Sequence, residues 1–88
     1  MTKKEMHKEI NQRFYDYINE EFRHYAIDSS EGHGRIYLIP ESGNINDAIE
    51  YHQSRHDLCC VNWSSEKTKK DVQTMELFLN DILKQYSI

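Results

Sequence analysis

The sequence predicts an α+β domain with the element order α-β-β-α-β-α, in which a small two- or three-stranded mixed sheet packs against two long terminal helices. Three observations carry that expectation: an apolar stripe of helical period near each end, two short apolar runs between them, and turn-forming residues separating the runs. With 88 residues, one Pro and three Gly, the chain has material for one hydrophobic core and reads as a single domain over residues 1–88.

From Lys3, the residues Met6, Ile10, Phe14, Tyr17 and Ile18 recur at steps of four and three, one face of a helix. Continuing that helix through Phe22 and Tyr25 would bring Glu21 towards the buried stripe, where an unpaired carboxylate is costly. The helix is therefore expected to end near Glu20 or Glu21, with Phe22–Ile27 as a strand. The segment Asp28–Gly34 has turn composition and returns the chain as a hairpin into a strand ending at Ile39, since Pro40 has no N–H for the ladder.

Asn44 or Asn46 is suited to cap a short helix whose inner face carries Ile45, Ala48, Ile49, His52 and His56. A helix between strands implies a crossover and parallel pairing of the strands on either side. The run Leu58–Trp63 is almost wholly apolar, which predicts an interior strand covered on both faces. Ser64 or Ser65 caps the last helix, whose stripe is Val72, Met75, Leu79, Ile82 and Tyr86.

An apolar fraction of 38% with six Tyr, three Phe and one Trp is that of a folding chain. No apolar run approaches the about eighteen residues of a membrane span, and the first residues lack an apolar signal core, so a cytoplasmic location is expected. Cys59 and Cys60 are adjacent on a strand and point to opposite faces, which excludes a bridge between them and implies reduced thiols. The net charge of −4 falls wholly in the middle segment, where Asp28, Glu31, Glu41, Asp47, Glu50 and Asp57 face only Arg35 and Arg55. There is no basic stripe to neutralise phosphates, so direct nucleic-acid binding is disfavoured. An acidic face can instead meet a basic protein surface, including one that ordinarily holds nucleic acid.

Three kinds of site are candidates. Tyr15, Tyr37, Tyr51 and Trp63, with one of Phe22 or Tyr25, exceed what so small a core buries, and surplus aromatics serve as anchors in protein contacts. The expected protein-binding set is therefore Tyr37, Tyr51 and Trp63 with the acidic residues Asp28, Glu31, Glu41, Asp47 and Glu50. If the two apolar strands are parallel, the loop residues Ser42, Gly43, Asn44 and Asn46 meet Ser64 and Ser65 at one end of the sheet. Two helix starts there offer amides to a small anion. His52 and His56, four apart on a helix, have the spacing of two metal ligands, though a Cys-x-x-Cys pair and the glutamate of His-Glu-x-x-His are both missing.

No spacing selects a nucleophile with its base, and a chain this short leaves little volume for a substrate pocket, so an enzyme is not expected and no cofactor is implied. In size and acidity the chain resembles small phage or mobile-element proteins that block a host enzyme or nucleic-acid-handling complex. That likeness is one of composition and rests on no motif. It implies a small acidic regulator or inhibitor that binds another protein. An open sheet edge also leaves room for a homodimer.

Overall fold

The computed structural model describes residues 2–29, 34–62 and 66–86. Helix α1 (Lys3–Glu21) is followed by strands β1 (Tyr25–Asp28), β2 (Arg35–Pro40), β3 (Ile49–His52) and β4 (Asp57–Cys60), and helix α2 (Glu66–Gln85) closes the chain. A 3-10 turn, Ile45–Asp47, lies between β2 and β3. The strands form an antiparallel meander in the order β1-β2-β3-β4. The class is α+β, as expected.

The terminal helices follow the sequence closely because capping and stripe agree. The Thr2 hydroxyl accepts a hydrogen bond from the Glu5 amide at 3.2 Å, satisfying one of the free donors at the start of α1. Ile10, Phe14 and Ile18 are fully buried, whereas Glu21, the last residue of α1, is exposed. The Phe22 amide then closes the helix on the Ile18 carbonyl at 2.9 Å. Helix α2 buries Val72, Met75, Leu79 and Ile82. The two helices touch through Tyr17 and Phe78, whose rings stack with centroids 3.9 Å apart.

Both helices lie on the same side of the sheet. Phe14 and Ile18 of α1, with Val72, Met75 and Leu79 of α2, share one core with Tyr25, Ile36, Leu38, Ile49, Tyr51, Leu58 and Cys60 of the four strands. Alternate strand residues must point the other way. These are Tyr37, Ile39, Glu50, His52 and Cys59, and neither helix covers them.

The middle of the chain departs from the expected order. Ile45–His56 is not an amphipathic helix: after the 3-10 turn, Ile49 and Tyr51 point inward while Glu50 and His52 point outward, a period of two. The five residues Ile45, Ala48, Ile49, His52 and His56 match a helical stripe, but that arrangement would leave the Tyr51 ring outside the core. Burying a ring of that size outweighs the few tenths of a kcal/mol per residue by which helix propensities differ. The segment therefore supplies a fourth strand. The sheet is wholly antiparallel, with no parallel crossover, because β3 stands between β2 and β4. The run from Leu58 is likewise not an interior strand covered on both faces over its described residues; β4 is an edge, with Leu58 and Cys60 buried and Cys59 only half-buried. The hairpin of β1 and β2 forms as expected, with Asp28 opposite Tyr37.

Candidate functional site

The meander brings residues distant in sequence into rows on the uncovered face. Asp28, Tyr37, Glu50 and Cys59 stand side by side across β1 to β4. The next row towards the 3-10 turn contains Ala26 and Ile39, paired across β1 and β2. Val61 follows β4 and donates its amide to the Ala48 carbonyl at 3.1 Å, which continues the row past the last paired residues. Ile45 reaches the same region from the 3-10 turn.

These residues enclose a depression of about 310 Å3 lined by Asp28, Tyr37, Ile39, Ile45 and Val61. Ile45 is 64% exposed and Val61 44% exposed, so the apolar lining stays open to water. An apolar concavity with one carboxylate at its margin gains most from receiving an apolar side chain, because water leaves both surfaces at once. Its volume is at the small end for pockets that hold organic ligands.

Beside the depression the charges are arranged, not scattered. Glu50 Oε1 lies 3.4 Å from Arg35 Nε and 3.3 Å from His52 Nε2. The Glu50 carboxylate is thus committed to its neighbours on the same face.

The other expected residues fall elsewhere. Of the residues expected to bind a protein, Asp28, Tyr37 and Glu50 lie side by side on the uncovered face, but Tyr51 does not point outward: it is fully buried, and its ring lies 4.4 Å from that of Phe14. Glu41 and Asp47 line a separate cavity, while Glu31 and Trp63 lie outside the described residues. Sequence reasoning missed Ile39, Ile45 and Val61 as lining. The available signal was the helix count: two long helices cover one face of a sheet and leave the second bare.

The separate cavity is at the end of the sheet where β2 and β4 both finish, with α2 beginning beside it. It measures about 440 Å3, and Ser42, Lys67 and Thr68 share it with Glu41, Asp47 and Asp71. Three carboxylates against one Lys make it a poor cradle for an anion. Gly43, Asn44 and Asn46 are occupied in building the turn: the Asn44 amide donates to Ser42 Oγ at 3.3 Å and the Asn46 amide to Asn44 Oδ1 at 3.1 Å. Gly43 takes the left-handed conformation, with φ of +76°. Ser64 and Ser65 lie outside the described residues. In the same cavity the Tyr25 hydroxyl donates to Asp71 Oδ2 at 2.6 Å. Burial, reinforced by Asp71, raises the Tyr25 phenol well above its ordinary value.

His52 and His56 are not a ligand pair, because the hairpin places them on opposite sides of the sheet. His52 faces Glu50, while His56 is buried and its Nε2 lies 2.6 Å from His7 Nδ1 of α1. Among the described residues, no three His, Cys, Asp or Glu side chains are grouped to hold a metal ion. No described helix is long and apolar enough to cross a membrane. Compared with protein-family models, with curated proteins and with solved structures, the chain matches none of them.

Proposed function

We propose that this chain is a protein-binding module and that the uncovered face of the sheet is its contact surface. The observation that carries the reading is the open apolar depression formed by Tyr37, Ile39, Ile45 and Val61, with Asp28 at its margin. The partner supplies an apolar side chain to the depression and a Lys or Arg beside it to Asp28. A net charge of −4 adds long-range attraction to a basic partner. The face is favoured over the sheet edges, because β1 and β4 each extend for only four residues and offer little backbone for strand addition. Such a module acts as a regulator or inhibitor of the larger protein it occupies.

The test compares capture from the native host by the wild-type chain and by the double variant Tyr37→Ala, Val61→Asp. A protein held by the wild type and lost by a folded double variant supports the reading. Retention of the same protein at equal yield, with the circular dichroism of the two chains identical, overturns it. Replacing Asp28 by Lys slows association and flattens its dependence on salt if the partner is basic.

A further inference from the structure

Four side chains link α1 to the turn between β3 and β4 and back again. His7 Nδ1 lies 2.6 Å from His56 Nε2, His56 Nδ1 lies 3.0 Å from the Tyr51 hydroxyl, and that hydroxyl donates to Asn11 Oδ1 at 2.6 Å. The two imidazole planes differ by 15° and their centroids are 4.8 Å apart. That separation is about the N···N distance plus the two ring radii, so the rings meet edge to edge along a hydrogen bond rather than face to face.

The proton positions follow from counting donors. Tyr51 spends its one proton on Asn11, so the contact with His56 requires the proton to be on His56 Nδ1. A neutral His56 then offers a lone pair at Nε2, and His7 must donate its Nδ1–H. The His7 Nε2 is left as the free basic nitrogen of the pair. A first proton can enter there without disturbing the contact. A second would have to sit on His56 Nε2, setting two N–H groups against each other at 2.6 Å, where neither can accept.

We propose that the contact between His7 and His56 is an acid-sensitive latch, closed while the pair holds at most one extra proton and opened by the second. What it releases is the turn Gln53–His56. His56 is only 5% exposed and adopts a positive φ of 54°, a conformation that a non-glycine residue keeps only when its surroundings enforce it. The turn is also held by the His56 amide, which donates to the His52 carbonyl at 2.7 Å, by Arg55 Nε at 3.7 Å from Asp57 Oδ2, and by Gln53, which donates its amide to the Gly34 carbonyl at 3.0 Å and its side-chain amide to the Tyr15 hydroxyl at 2.6 Å.

The groups bearing on the latch come from each neighbouring element. His7 and Asn11 face it from α1, Tyr51 from β3 with Tyr15 beyond, and Asp57 from the start of β4. Burial first and His7 second hold the His56 imidazole below its ordinary value, and Asp57 opposes them. With the folded value depressed, unfolding or opening takes up a proton. The stabilisation is complete well above the unfolded value of about 6.5 and is lost as pH falls from there through the folded value.

The experiment is a residue-resolved 15N titration of the imidazoles in the wild-type chain from pH 8 to pH 4.5, with amide exchange protection measured at each point. At pH 8 both rings carry their proton on Nδ1 and the turn is protected. Protection of the Gln53–His56 amides falls at least tenfold as His56 takes its own proton. In the variant His56→Asn, whose side chain tolerates the positive φ, that acid step disappears. A charged His56 with the turn still fully protected, or an Nε2–H tautomer on either neutral ring, overturns the proposal.

Discussion

Tyr37 on β2 stands directly opposite Glu50 on β3, on the side of the sheet that carries no helix. One residue along, Ile36 and Tyr51 face each other in the same register, and both are buried. Two tyrosines on adjacent strands therefore have opposite environments, decided by the pleat alone.

That contrast gives the first prediction. Tyr37→Ala changes folding stability by no more than about 1 kcal/mol, since it removes only a cross-strand contact on a wet face. Tyr51→Ala costs about 3–5 kcal/mol, because it empties a fully buried ring site in the core. Urea unfolding of the two variants measures both. Equal losses would mean that the face around Tyr37 is covered after all.

The adjacent cysteines report the same alternation at the edge. Cys59 is half-buried on the uncovered face, and Cys60 is buried among Val72, Met75 and Leu79. Burial, followed by the neighbouring Cys59, pushes the Cys60 thiol up. A thiol reagent applied to the native chain should modify one equivalent quickly, and peptide mapping should place it on Cys59. Cys60 reacts only after denaturation.

Tyr25 and Tyr51 make the fold sensitive to alkali. Burial is the largest cause raising each phenol, helped by Asp71 at Tyr25 and by Tyr15 and Asp57 at Tyr51. A folded value above the unfolded value of about 10 means that ionisation favours the unfolded chain. Stability is complete below pH 10 and declines as pH rises beyond it. Absorbance titration at the phenolate band should show at least two of the six tyrosines, Tyr25 and Tyr51 among them, ionising only with unfolding. Replacement of Tyr25 by Phe removes its share and leaves Asp71 without its 2.6 Å donor, at a cost of about 1–3 kcal/mol.

Much of this architecture can be read in the residues. The stripes of α1 and α2, the end of α1 at Glu21 and the hairpin from β1 into β2 all follow from local periodicity, a costly buried charge and turn-forming residues. The middle segment was harder because Ile45, Ala48, Ile49, His52 and His56 satisfy a helical period, while Ile49 and Tyr51 satisfy the strand period that tertiary packing rewards. Once that segment is a strand, the pairing of β2 with its neighbour changes from parallel to antiparallel. The site was legible only in part. Tyr37 is recognisable as an aromatic in excess of the core, and Asp28 and Glu50 as members of the acidic middle segment, but Ile39 and Val61 belong to runs so apolar that they read as interior. Their exposure depends on both helices choosing the same face, which no local window contains.

Site-specific photo-cross-linking in the native host distinguishes a partner on the uncovered face of the sheet from one on the helices. A benzophenone side chain is placed either at position 37, on the uncovered face, or at position 77, where Leu77 is 68% exposed on α2. Position 37 yields a discrete cross-linked species that is absent from position 77 and disappears when Val61 is also changed to Asp. Cross-linking to that species from position 77, or from position 37 regardless of Val61, would contradict a contact on the uncovered face.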